Sequence, residues 1–374
     1  MKKLHFENLD GLRFFSFLSV FLFHSFYTEN IAIKTSHTYH FIKYSLWGNG
    51  NLGVNFFFVL SGFLISYLLI EEKKTLGKVN IPHFYLRRVL RIWPLYFAAV
   101  LFGFFVFPLI KTLFGQSSSE TAHLINYLTF TSNFDLIKNG LPDASILGVL
   151  WSIAIEEQFY LIWPLIIAFV PTNKLQYAFI TIISASWAAR AFFDNYMFHE
   201  YHTLSCISDM AIGSFGAWLI ITQDGLKSKI SSTKKVYIIL LYSVIAVFYF
   251  FRTELLMNSF VIRIFERSIL AVLFLFVILE QNYATRSFYK MSAFKTISKL
   301  GNITYGLYCL HFIGILIAIK TVSFLMKTET LLSVLVAETF VSLFVSVVIA
   351  RLSYKYLESP FLKMKNRFAF IVRA

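Results

Sequence analysis

Long uncharged apolar stretches recur along the chain, among them 92–110 and 236–251, and short segments between them hold most of the lysines and arginines. A bilayer crossing takes about 17–25 predominantly apolar residues. On that measure the pattern predicts ten transmembrane helices, over 9–27, 52–70, 92–110, 148–170, 177–193, 204–222, 236–251, 261–281, 301–321 and 331–354. The expected fold class is all-α, a polytopic membrane bundle. The first run has the two preceding lysines of a signal peptide, but Tyr27-Thr28-Glu29 stands where a small-residue cleavage site would be needed. It is read as the first span.

Composition agrees with this reading. Apolar residues make up 57% of the chain and charged residues 14%, whereas a soluble domain carries about 25% charged residues. With ten spans and a cytoplasmic N-terminus, the inside segments hold 22 Lys and Arg against 6 in the outside loops. Cytoplasmic loops carry such an excess, so the expected topology is N-in and C-in. The same asymmetry accounts for much of the +14 net charge. The basic residues are divided among several short loops, and no nucleic-acid partner is expected. Cys206 and Cys309 both fall within predicted spans, which argues against a disulfide framework.

The chain reads as one transmembrane domain over 1–374, without an additional soluble domain. The longest outside loop, 111–147, carries a Gly140-Leu-Pro-Asp143 turn signal and is expected to form a lid or a re-entrant piece. Gly48-Asn-Gly50-Asn-Leu-Gly53 satisfies the dinucleotide fingerprint by letter only, since it lacks the strand that gives that motif meaning.

Three groups of ionisable residues interrupt the apolar pattern. Arg13 and His24 lie 11 residues apart on the first span, which puts them on nearly the same helix face, about 16 Å apart along the axis. Arg13 could snorkel to the headgroups and His24 bond to a neighbouring helix, but ionisable residues facing a bundle interior point to function. In the fourth span, Ser152, Glu156 and Tyr160 share a face, while Glu157 and Gln158 point elsewhere. These carboxylates either sit solvated at the outer headgroups or are supplied with partners inside. Glu156 is expected at a depth matching His24, so the two form a candidate base–orienter pair. Arg87, Arg88 and Arg91 cluster at the cytoplasmic mouth of the third span. Arginines suit phosphate through bidentate hydrogen bonds, although basic residues flanking a span also satisfy topology alone.

Taken together, the motifs resemble the membrane acyltransferase-3 family. They are the Arg-x10-His of the first span, Phe57-Phe-Val-Leu-Ser-Gly-Phe-Leu64, Arg88-x-x-Arg91, the Trp-Ser-x-x-x-Glu-x-x-Phe-Tyr run ending at Tyr160, Leu300-Gly-Asn-Ile-Thr-Tyr-Gly-Leu-Tyr-Cys-Leu-His311 and Tyr356-Leu-Glu-Ser-Pro360. Asp209 with Gly213 matches a further motif loosely, and Ala154 and Ser359 depart from residues common in the family. The resemblance covers essentially the whole chain, in order. It implies O-acylation of a saccharide or glycolipid of the cell envelope, at a bacterial-type inner membrane, with cytoplasmic acyl-CoA, by family frequency acetyl-CoA, as donor. It further implies that Arg13, Arg88 and Arg91 hold the donor while His24 acts as general base with Glu156 orienting or charge-compensating it. An acyl-His intermediate is the competing mechanism. Ser152, Tyr160, Asp209 and His311 are substrate or structural support, His311 either bonding across helices or positioning the acceptor. Some members carry a hydrolase-like domain that completes transfer; here that role is expected of a separate protein, or transfer is direct.

His37/His40 and His199/His202 are spaced like metal ligands, yet no cysteine or carboxylate set completes a site apart from Glu200, so no metal is expected. Lipids and the saccharide acceptor are the expected partners, and the sequence leaves oligomeric state open. The alternative function is a proton-coupled transporter or flippase for an envelope sugar or lipid. The absence of an internal repeat and the ordered acyltransferase motifs weigh against it.

Overall fold

The computed structural model describes residues 2–3, 6–326, 328–368 and 371–372. Ten long helices build it: α1 (Glu7–His24), α2 (Leu52–Leu76), α3 (Ile81–Leu101), α4 (Leu150–Phe169), α5 (Leu175–Phe192), α6 (Thr203–Thr222), α7 (Lys235–Phe250), α8 (Phe260–Tyr283), α9 (Thr304–Met326) and α10 (Glu338–Ser353). Each stretch expected to span overlaps one of them. Apart from a two-residue parallel pairing of Lys2–Lys3 with Ile371–Val372, the described residues are helical or irregular. A lipid-facing chain must satisfy its backbone within itself, and helices do so.

By length and composition, six helical segments are long and apolar enough to cross a membrane: Leu52–Leu76, Ile81–Leu113, Leu147–Phe169, Tyr196–Thr222, Thr304–Met326 and Ser333–Lys365. The other four long helices fall short for identifiable reasons. The first, α1, carries Glu7, Asp10 and Arg13; α5 carries Arg190; α7 has only 16 residues; α8 carries Arg263, Glu266, Arg267 and Glu280.

At the centre lie α2 and α6. Of their most apolar stretches 78% is buried, against 33% for α3 and for α10. Their crossing is set by two glycines. A Cβ on Gly62 would stand 2.0 Å from the Met210 carbonyl oxygen, and one on Gly213 would stand 2.0 Å from that of Val59. Only a bare Cα lets the two backbones approach so closely, and the Ser214 hydroxyl donates across the contact to the Gly62 carbonyl at 3.1 Å. The letters of the dismissed dinucleotide motif do similar work: Gly50 and Gly53 press against the Ser19 and Ser16 carbonyls of α1.

The segments between spans are folded. Past the C-terminal end of α1, the Tyr39 hydroxyl donates to the Phe26 carbonyl and Lys43 to the Ser25 carbonyl. In loop 111–147, the short helices Leu124–Leu128 and Ser132–Asn139 turn back to the middle of α3. There the Tyr96 hydroxyl donates to the Tyr127 carbonyl, and Phe130 packs on Trp93 and Tyr96. Cys206 and Cys309 are both buried free thiols.

Candidate active site

A cavity of about 360 Å³ opens among α1, α2, α3, α4 and α9. Its wall on α2 runs from Val54 to Glu72, which at 1.5 Å per residue is about 27 Å of helix. Glu72 and Arg87 mark one end, and Val54, Ser152 and Tyr308 the other. Arg13, Arg88, Arg91, Ser152, Glu156 and Tyr160 all line it. Residues as far apart in sequence as Arg13 and Tyr308 therefore converge, because the N-terminal halves of α1, α3, α4 and α9 surround one stretch of α2.

The arginines differ in how they are held. Arg87 is occupied, with Glu72 at 3.5 Å and the Phe368 carbonyl at 2.7 Å. Arg13 pairs with Asp10 one turn away, at 2.6 Å. Arg88 and Arg91 form no hydrogen bond or ion pair with the described residues. Arg88 instead lies over the Phe84 and Tyr160 rings at 5.7 and 5.6 Å, and its Nε is buried with no partner. Arg88 is thus partly enclosed by protein instead of extending freely into water. Planar donors left open in a half-enclosed cavity suit an anion such as a phosphate.

Glu156 accepts a hydrogen bond from the Tyr160 hydroxyl at 3.1 Å, and that hydroxyl also meets Ser61. Ser152 bonds the Tyr308 hydroxyl at 2.7 Å. Glu157 turns away to Trp93 Nε1 at 3.1 Å, and Gln158 donates to the Phe130 carbonyl of the folded-back loop.

His24 does not line the cavity, and its polar partner is not Glu156. The expected pairing of these two is not what the structure shows: His24 bonds to His311 on α9, while Glu156 faces the cavity. His24 Nδ1 lies 3.0 Å from Nε2 of His311 on α9, which is fully buried. His311 connects back to the cavity through Tyr308, whose carbonyl lies 2.7 Å from its Nδ1. Ser61, Tyr305 and Tyr308 also line the cavity without having been singled out in the sequence. They stand inside two of the motifs that carry the family resemblance, which was the available signal.

Asp209 lies away from the cavity. It accepts from Arg267 at 2.7 Å and from Asn55 at 3.3 Å. Nearby, Arg252 reaches Glu266 at 2.6 Å and Glu200 at 3.9 Å, and Arg190 reaches Glu266 at 3.2 Å. The metal-like histidine pairs are dispersed. His199 Nε2 donates to the Arg190 carbonyl, His202 accepts at the start of α6, and His37 and His40 are exposed. Among the described residues no group of three or more His, Cys, Asp or Glu side chains could hold a metal.

The sequence model of the acyltransferase-3 family, an acyltransferase domain, matches residues 6–351. The chain belongs to this family. It is similar to the peptidoglycan O-acetyltransferase OatA of Listeria monocytogenes, with 24% identity over 95% of this chain and 56% of the relative. It is also similar to the O-acetyltransferase OatA of Staphylococcus aureus, with 28% identity over 97% of this chain and 58% of the relative. The chain thus spans just over half the length of these curated relatives. No solved structure matches it. The transporter or flippase reading finds no support among the relatives.

Proposed function

We propose that the chain is a multi-pass O-acyltransferase of the cytoplasmic membrane, with ten spans and both ends inside, that moves an acetyl group from acetyl-CoA to a hydroxyl of a cell-envelope saccharide. The observation that carries this reading is a cavity in an acyltransferase-family chain lined by two guanidiniums, Arg88 and Arg91, that have no bonded acid among the described residues. Peptidoglycan, the acceptor in the printed name of the Listeria relative, is the first acceptor to try.

The nucleotide phosphates of the donor rest on Arg88 and Arg91, with Arg13 further along the same wall. The slender pantetheine arm runs along α2 toward Ser152 and Tyr308. His24, one residue layer beyond through the contacts Tyr308–His311–His24, takes the proton of the acceptor hydroxyl. The oxygen attacks the thioester carbonyl, the carbon–sulfur bond breaks, and the leaving thiolate receives the proton from His24. Glu156 acts as a positioning residue through Tyr160, on whose ring Arg88 lies. Direct transfer is the simpler form of this step, and an acyl-His24 intermediate would use the same residues.

The test is acetyl transfer from labelled acetyl-CoA by the purified chain in nanodiscs, with soluble peptidoglycan fragments as acceptor. Losing a general base costs about 10²–10⁴-fold, so His24→Ala should lose turnover by that factor while binding donor and melting like the parent. Wild-type turnover by a folded His24→Ala protein would overturn the assignment, and failure of the parent to bind acetyl-CoA would overturn the donor.

A further inference from the structure

Where α1 ends beside α9, two imidazoles face each other. Their ring centroids lie 5.1 Å apart, with 20° between the planes, and His24 Nδ1 is 3.0 Å from His311 Nε2. Two neutral rings so placed share one hydrogen, and either nitrogen could carry it.

The other side of His311 decides between them. Its Nδ1 lies 2.7 Å from the Tyr308 carbonyl oxygen. A carbonyl only accepts, so His311 Nδ1 carries a hydrogen, and in a neutral ring Nε2 is then a bare acceptor. His24 Nδ1 must therefore donate to it. That leaves the lone pair of the neutral His24 ring on Nε2.

The surroundings favour a neutral pair. Phe17 and Phe21 stand edge-on to His311, and Phe312 packs on both imidazoles at 4.6 and 4.7 Å. Neither ring has a hydrogen bond to a carboxylate among the described residues. A base needs its tautomer and its ring orientation held, which a carboxylate does in serine hydrolases. A neutral imidazole nitrogen supplies the same acceptor without placing an anion among phenylalanines.

We infer that His311 is the positioning residue for the base: it fixes the hydrogen of His24 on Nδ1 and leaves His24 Nε2 bare to take the acceptor proton. This rests on the reading of His24 as the base. During transfer the acceptor proton arrives at Nε2 and leaves from Nε2 to the departing thiolate, while the Nδ1 hydrogen stays on His24 and remains donated to His311.

The test reads the tautomer directly. In the parent chain, labelled with 15N-histidine in nanodiscs, the His24 signals are identified by their loss in His24→Ala. They should show a protonated Nδ1 and an unprotonated Nε2 at neutral pH. In His311→Leu the acceptor is gone, and His24 should revert to the Nε2-protonated form that a free side chain prefers in water. Turnover should then fall about 10²–10⁴-fold, as for other wrong-tautomer bases, with KM for acetyl-CoA nearly unchanged. His311→Gln, whose carbonyl oxygen can stand in for Nε2, should recover the Nδ1-protonated form and most of the turnover. A parent His24 protonated on Nε2 would overturn the inference, and that measurement requires no variant of His311 to fold. So would a His311→Leu protein with unchanged tautomer and turnover. Full turnover by His24→Ala would instead remove the base reading beneath it, and the tautomer signal is read independently of that result.

Discussion

Two groups of arginines lie inside this protein, and they are held in opposite ways. On α5, at Arg252 beyond α7, and on α8, Arg190, Arg252 and Arg267 are each buried and each bonded to an acid: Glu266, Glu266 with Glu200, and Asp209. Across α2, Arg88 and Arg91 face a cavity with no acid among the described residues bonded to them. Removing charge from water is costly unless a partner repays it. The first group is repaid within the chain and serves to join helices. The second has, among the described residues, ring contacts at Arg88 and no bonded acid, which is why an anionic ligand is proposed for it. Charge in a membrane helix therefore points to ligand binding only when its bonding partners have been counted.

The difference can be broken most forcefully on the paired side. Arg267→Ala would strand Asp209, and breaking a buried pair costs about 3–5 kcal/mol; thermal melting in detergent should show a large drop. Arg88→Lys and Arg91→Lys should melt like the parent and instead raise KM for acetyl-CoA. A charge-assisted contact is worth about 1.5–3 kcal/mol, and an ammonium does not reproduce the planar fork. Equal donor kinetics would return these two arginines to a topological role.

Smaller effects sharpen the contrast. Glu156→Gln keeps an acceptor for Tyr160 and replaces the carboxyl by an amide that cannot ionise. It should lower turnover about tenfold, less than the 10²–10⁴-fold an acid–base group contributes, because Glu156 acts through Tyr160, with little change in melting. Least affected is the exposed pair of Arg263 with Asp194, at 2.5 Å. The hydrogen bond from Arg263 holds the Asp194 carboxyl below its ordinary value of 3.8. Its stabilisation is present above that value and disappears as pH falls through the lower folded-state value. Because both side chains are partly in water, the loss should stay under about 1 kcal/mol. A melting series from pH 5 to pH 2, with Asp194→Asn as reference, would isolate it.

The helices were legible because long apolar stretches overwhelm every other signal, and all ten expected spans overlap helices. The cavity-lining faces of α3 and α4 were legible too, since Arg88, Arg91, Ser152, Glu156 and Tyr160 obey helical spacing. What spacing cannot supply is the identity of the facing helix. Depth along the helices pairs His24 with Glu156, yet α9 presents to it His311, 287 residues further along the chain. The paired arginines were invisible for the same reason. Arg252 reads as an ordinary loop charge until α8 is seen to bring Glu266 against it.

The glycine crossing of α2 and α6 gives the contrast a mechanical side. With a carbonyl oxygen only 2.0 Å from where each Cβ would be, the two helices pack backbone to backbone, and α2 is held on the face turned to α6. Its opposite face is a fixed wall of the cavity. A single methyl group at position 62 would push that wall, and the neighbouring Ser61 with it, into the space the donor is proposed to use.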